Sequence, residues 1–323
     1  MASTRAYRNG ALVDENFDVE KVSDYLEDPA CTVWVDVCAP DAQELHVIAE
    51  ELSLHALALE DAVTERERPK LDRYETHLFL TMYDADLDTT TGRLETQEVA
   101  AFVTKQALVT VRKTERFAIE HVVQRWDASP DLAVHGVSFL LHGLLDHVVD
   151  SHFEAVQQLD DAIEGLEDML FDDVPHDIEV QRRSFQMRKS LVLLRRVVVP
   201  MREVVNAIMR RDLKVVDPEM TPYYQDVYDH VLRATDWTES LRDLVTTILE
   251  THLTIQGNRL NTIMKKVTSW AAVIAVPTAV TGFYGQNVPY PGFGEPFGFW
   301  TSTIVTVLVS TALYLAFRRR DWI

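Results

Sequence analysis

Residues 267–284 read VTSWAAVIAVPTAVTGFY, eighteen consecutive positions without a charge, and residues 297–317, FGFWTSTIVTVLVSTALYLAF, add twenty-one more. A helix rises about 1.5 Å per residue and about 20 residues cross roughly 30 Å of hydrocarbon. The two stretches therefore predict a pair of membrane-spanning helices at the C-terminal end. Lys265 and Lys266 precede the first, Arg318 to Arg320 follow the second, and the loop between them carries only Glu295. Positive-inside asymmetry then places both flanks in the cytoplasm and the loop outside. Trp270, Trp300 and Trp322 fall near the expected interfaces. Pro277, three threonines and Gly282 are unusual for a lipid-facing helix. Two readings fit them: small and hydroxylated residues packing helix on helix, or a backbone that lines a water-filled path.

Upstream of the first span there is no proline or glycine between Tyr223 and Gly257. Val227, Val231, Ala234, Leu241, Val245, Ile248 and Ile255 recur at coiled-coil spacing, with Thr238 and His252 as polar interruptions. The pattern predicts one helix from 223 to 284, about 93 Å long at 1.5 Å per residue. Two spans cannot enclose a water path, so a pore requires several copies around an axis, each giving one long helix.

The first 135 residues predict a cytosolic α/β domain, and the whole chain an α+β protein with a membrane part. CTVWVDVC (31–38), HLFLTMYDADL (77–87) and VAAFVTKQALVTVRK (99–113) read as strands, residues 88–92 as a turn, and 41–54 as a helix capped by Asp41. Residues 136–222 form an acidic helical region interrupted at Pro175, with a kink expected at Pro200. The stalk helix covers 223–284 and continues into the first span at about 267. An external loop follows at 285–297, then the second span at 298–317 and a basic tail at 318–323.

Composition narrows the function. The chain has 323 residues, 51 acidic and 31 basic, a net charge of −20. Removing the two acids and five bases after Ile263 leaves 49 and 26, a net of −23 on the first 263 residues. Such a body excludes a nucleic-acid partner held by phosphate neutralisation. Cys31 and Cys38 are seven apart in a predicted strand, hence on opposite faces, so they are expected as reduced thiols. The N-terminus lacks a signal-peptide apolar region. The absence of a P-loop, HExxH or Gly-x-Ser-x-Gly argues against an ATP-driven pump and against an enzyme, and no cofactor is expected.

Two segments carry candidate chemistry. Asp160, Glu164, Asp168 and Asp172 lie four apart on one helical face. Like charges at that spacing repel, so they are either a solvated face paired with arginines or a weak regulatory site for Mg2+, which takes oxygen ligands. At Tyr284-Gly285-Gln286-Asn287 carboxamides stand where the chain leaves the membrane. This is either a helix C-cap with an Asn turn or, in an assembly, a ring of neutral amide oxygens. Mg2+ dehydrates reluctantly, so a neutral polar collar at Asn287 suits the hydrated ion.

These motifs resemble the CorA family of magnesium channels. HALALED (55–61), RPKLDRY (68–74), residues 138–150 with the acidic stretch 154–173, the Tyr-Gly-Gln-Asn at 284–287 and the tail RRRDWI (318–323) carry the resemblance. It implies a homopentamer in the inner membrane with both termini cytoplasmic. The first spans line the pore, and a long-helix funnel binds Mg2+ and closes when the ion is plentiful. The filter would be Gly285, Gln286 and Asn287. Asn261, Met264, Thr268, Ala271, Ala275, Thr278 and Gly282 would face the axis, and Tyr284 and Glu295 would belong to the external loop. The family usually has methionine where this chain has Gln286, which bears on the ion: Mg2+ stands first, with Co2+ and Ni2+ as surrogates, and Zn2+, carried by a related branch, second. A membrane-anchored structural or sensory protein and a membrane-tethered enzyme are the competing classes.

Overall fold

The computed structural model describes residues 2–64, 68–172, 177–210, 213, 215–286 and 288–323. Strands β1 (Ser3–Arg8) and β2 (Ala11–Glu15) lead into the short helix α1 (Val22–Leu26) and strand β3 (Cys31–Cys38). Helices α2 (Ala42–Leu52) and α3 (Ala56–Val63) follow, then strands β4 (Lys70–Arg73), β5 (Leu78–Asp88), β6 (Arg93–Val103) and β7 (Ala107–Arg112). The remainder is helical: α4 (Ile119–Ala128), α5 (Val137–Phe171), α6 (Asp177–Met209), α7 (Thr221–Tyr284) and α8 (Pro296–Arg318). The expected α+β body with long helices and two terminal apolar helices is what the chain forms. Pro200 lies inside α6 and does not end it, while Pro175 lies outside the described residues.

One expected strand is two. The stretch 99–113 folds back on itself between β6 and β7, because the Thr104 amide donates to the Ala107 carbonyl at 2.9 Å and the Thr104 hydroxyl accepts from the Ala107 amide at 2.8 Å. A threonine that bonds its own backbone in this way makes a turn inside a run of strand-forming residues.

The strands make one sheet in the order β2-β1-β3-β7-β6-β5-β4, with β3 and β7 parallel and every other pair antiparallel. β3 shows why both faces are covered. Val33, Val35 and Val37 enter one core with Leu45, Ile48, Leu52 and Ala58, whereas Trp34 enters the other with Trp126, Leu141 and Leu144. Alternation along a strand sends neighbours to opposite faces, and here each face finds its own helical layer. Cys31 sits in the first core, Cys38 is half-buried, and both thiols are free. α2 starts where expected. The Asp41 carboxylate accepts from the Gln43 and Glu44 amides at 2.8 Å, and Glu44 accepts from the Asp41 amide at 3.3 Å, a capping box.

In the middle of the sheet Asp36 is a buried carboxylate held by three donors. Arg112 donates to it through Nε at 3.1 Å and Nη2 at 2.6 Å, and Thr110 Oγ1 donates at 2.7 Å. Trp34 Nε1 in turn donates to Thr110 Oγ1 at 3.1 Å. A buried carboxylate is tolerated only when paired and hydrogen-bonded in this way. α5 crosses beneath α4 at Gly143, where a Cβ would come within 2.4 Å of Trp126 Nε1, so this crossing admits only glycine.

The chain divides into two compact units between Ile248 and Leu249, within α7. The predicted segments 1–135 and 136–222 and the first part of the stalk thus share one unit. Val227, Val231, Ala234, Leu241, Val245 and Ile248 of α7 are all buried there. The polar interruption Thr238 is buried too, because its hydroxyl donates to the Ala234 carbonyl at 2.6 Å.

Candidate functional site

The second unit, residues 249–323, contains the rest of α7, the connecting loop and α8. Both helices are long and apolar enough to cross a membrane, and the apolar windows are 6 % and 0 % buried. The residues expected to face an axis, Asn261, Met264, Thr268, Ala271, Ala275, Thr278 and Gly282, are all exposed. Ser269, one position away from that stripe, is instead buried, and Trp270 lies 6.4 Å from Tyr314 of α8 between ring centroids.

Several hydroxyls of this unit are folded back on their own helices. Thr278 Oγ1 donates to the Ile274 carbonyl at 3.3 Å, Thr281 Oγ1 to the Pro277 carbonyl at 2.8 Å, and Thr301, Thr303 and Thr306 likewise one turn back at 2.8 to 2.9 Å. Such bonds satisfy the hydroxyl without water. Pro277 has no amide to donate to the Val273 carbonyl one turn earlier, yet α7 continues through it to Tyr284.

α7 ends at Tyr284. The Gly285 amide donates to the Thr281 carbonyl at 2.8 Å and the Gln286 amide to the Phe283 carbonyl at 3.3 Å. A Cβ at Gly285 would stand 2.9 Å from that Thr281 oxygen, so the exit from the helix requires glycine. Gly285 and Gln286 are exposed, Tyr284 is half-buried, and Asn287 lies outside the described residues. Glu295 is exposed at the N-cap position of α8, and its side chain makes no capping bond.

The four carboxylates on α5 do not converge. Asp160 is half-buried, and Glu164, Asp168 and Asp172 are exposed, the last at the helix C-cap. Among the described residues no group of three or more His, Cys, Asp or Glu side chains is placed to hold a metal ion within one chain. Sequence reasoning passed over two features. One is a cavity of about 420 Å³ lined by His121, Arg125, His147, Asp150 and Glu154, where Arg125 reaches Asp146 and Asp150 at 2.5 and 2.6 Å. The other is an aromatic cluster of Tyr284, Tyr290 and Phe293 in the loop, visible in the sequence only as isolated aromatics.

An α/β body joined to two exposed apolar helices defines a two-span membrane protein. The family model described as CorA-like Mg2+ transporter protein matches residues 30–319. The chain belongs to that family, whose members are divalent-cation transporters. It is 26 % identical to the cobalt/magnesium transport protein CorA of Thermotoga maritima, over 95 % of this chain and 87 % of that one. It is 23 % identical to the zinc transport protein ZntB of Pectobacterium carotovorum, over 80 % and 78 %. The complete structure of the CorA magnesium transporter from Methanocaldococcus jannaschii superposes with a TM-score of 0.81 at 22 % identity, covering 100 % of this chain and 99 % of that one.

Proposed function

We propose that this chain carries Mg2+ across the cell membrane as a homopentameric channel, with Co2+ and Ni2+ as surrogate ions. The observation that carries the reading is the exposed stripe from Asn261 to Gly282. The chain leaves these seven residues uncovered, together with the rest of 257–268, on a helix whose earlier inward face is buried. Five copies bring the stripe to a common axis, with Asn261 as a polar collar at the cytoplasmic end and Met264 and Ala271 as an apolar constriction. Gly285, Gln286 and Asn287 form the entrance. Neutral carboxamides there hold the hydrated ion through its water hydrogens, because Mg2+ sheds its waters reluctantly.

In this reading both termini are cytoplasmic and residues 285–297 face outside, as Lys265, Lys266 and Arg318 to Arg320 require under the positive-inside rule. No cofactor takes part; the ion is both cargo and regulator. The net charge of −23 on the first 263 residues makes five neighbouring bodies repel one another. Divalent cations between copies relieve that repulsion and favour a closed ring, a shift set by their greater affinity for that state. Asp160, Glu164, Asp168 and Asp172 would contribute between copies rather than within one chain.

Uptake into proteoliposomes of Mg2+, Co2+, Ni2+ and Zn2+, with and without a pH gradient, tests the assignment. Mg2+ entry independent of the gradient is expected, and Asn287→Ala should reduce it by about 1.4 kcal/mol or more of lost recognition, at least about ten-fold, while leaving the oligomer intact. Gln286→Met should preserve or raise it. Zn2+ entry that needs the gradient, with little Mg2+ entry, would move the chain to the zinc reading, which Gln286 leaves open and to which the ZntB relatives belong by name. An unchanged rate in Asn287→Ala would remove the collar from the mechanism.

A further inference from the structure

The segment after α7 is closed by one side chain. Tyr290 Oη donates to the Tyr284 carbonyl at 3.1 Å, so the loop is tied back to the last residue of the helix. The Tyr290 ring stands edge-on to Tyr284 at 4.9 Å and to Phe293 at 5.3 Å between centroids, and Phe283 lies 6.3 Å away. The last carbonyls of a helix have no intrahelical partner. A donor returned from six residues downstream satisfies one of them.

The other end of the loop is anchored by glycines. The Phe293 amide donates to the Tyr290 carbonyl at 2.9 Å, and the Gly298 amide to the Glu295 carbonyl at 3.0 Å. A Cβ at Gly298 would sit 2.4 Å from the Gly292 oxygen, and Gly292 itself has φ +91°. Backbone thus lies against backbone where α8 begins. Tyr290 is held from the α8 side through Phe293 and reaches the α7 side through its hydroxyl. Gly285 and Gln286 remain exposed while Tyr284 and Tyr290 are half-buried. The loop is therefore built as a stiff frame beside an exposed recognition segment.

We propose that Tyr290 is a positioning residue for cation recognition: its hydroxyl clamps the end of α7 and fixes the helix exit from which Gly285 and the Gln286 carboxamide are presented. This rests on the transport reading above. The effect is on how well the hydrated ion is recognised, since the hydroxyl touches a carbonyl of the frame and not the path. A collar that must match the shape of a hydration shell loses affinity when its frame loosens, because part of the binding energy goes into ordering the loop. Losing a neutral hydrogen bond of ordinary net strength corresponds to roughly a two- to ten-fold weaker hold.

The test uses the full-length protein in lipid vesicles, wild type against Tyr290→Phe, with Tyr314→Phe in α8 as control. Tyr290→Phe keeps the ring and its stacking and removes only the hydroxyl, so folding is preserved. Two readouts are taken. Amide hydrogen exchange in a peptide spanning 284–290 should speed up roughly two- to ten-fold in Tyr290→Phe and stay at the wild-type rate in the control. The Mg2+ concentration giving half-maximal uptake should rise by a similar factor, with the maximal rate within about two-fold of wild type. A merely structural role would instead lower the maximal rate through loss of folded channels and leave half-saturation where it was. Unchanged exchange overturns the clamp. Faster exchange with unchanged half-saturation overturns its role in recognition. Wild-type vesicles that admit no divalent cation overturn the transport reading itself, a failure distinct from both because it is seen before any substitution is made.

Discussion

α7 is one helix in two environments. Up to Ile248 its inward apolar residues are buried to 3 % exposure or less, whereas Leu253, Leu260, Met264 and Val267 are 60 % or more exposed. The residue types and spacing are alike; what differs is whether the chain supplies its own cover. The first part is stabilised by apolar burial inside the monomer. The second part presents contiguous apolar surface of the kind that marks a membrane or subunit contact. Hydrophobic periodicity thus identifies a helix face that will be covered but not what covers it.

The contrast can be broken most sharply at Asp36. Asp36→Ala leaves Arg112 buried without its partner, which should cost about 3 to 5 kcal/mol. Denaturant unfolding followed by tryptophan fluorescence in detergent measures it, and a loss below about 1 kcal/mol would mean that the first unit does not owe its stability to its own interior. A matched pair on α7 comes next. Leu241→Ala should cost about 2 to 5 kcal/mol, and Leu260→Ala less than about 0.5 kcal/mol in the dispersed monomer. Equal costs would erase the distinction. In α8, Leu308→Lys should penalise membrane insertion by about 2.5 to 3.5 kcal/mol, read as the glycosylated fraction in an insertion assay, with the first unit unaffected.

The smallest effect is a pH dependence confined to the first unit. His152 is wholly buried and donates from Nε2 to the Tyr83 carbonyl at 2.6 Å. Burial holds its pKa below the ordinary 6.5, against the opposing pull of that carbonyl and of Asp84. His142 and His147 are lowered by burial as well. The unfolded chain therefore takes up protons first. Stability is full above about pH 6.5 and is lost as pH falls below it, by up to about 1.4 kcal/mol per pH unit for each such histidine. The slope of unfolding free energy between about pH 6.5 and 5 should flatten in His152→Gln. A slope unchanged by that substitution would assign the dependence elsewhere.

Much of this was legible in the residues. The strand at 31–38, the Asp41 cap and the two spans follow from local chemistry: β-branched alternation, a side-chain acceptor at a helix start, and uninterrupted apolar length. β1, β2 and β4 were not, because Arg5, Asp14, Lys70 and Asp72 break their patterns with charges that find partners only in the folded chain. Arg5 meets Asp127, and Lys70 meets Asp61 and Asp72. The turn at Thr104 was hidden for the opposite reason, since its neighbours on both sides are good strand formers. At the candidate site the stripe from Asn261 to Gly282 is what the resemblance implies when read back at helical spacing, and the structure leaves those residues exposed. The Tyr290 tie could not be read in this way, since a hydrogen bond from residue 290 to the carbonyl of 284 depends on how the loop turns and leaves no periodic trace.

In the channel proposed above, the back-bonded Thr278 would have a consequence for the sign of the charge that passes. A hydroxyl has one hydrogen to give and two lone pairs to receive with, and Thr278 gives its hydrogen to Ile274. What remains on its outer side is electron-rich only. Water around a cation turns its hydrogens outward and meets such oxygens as ready acceptors; water around an anion turns its oxygens outward and finds nothing there to donate. A wall of this kind would discriminate by the orientation of the hydration shell, in a stretch of helix, 267–284, that carries no charged residue at all.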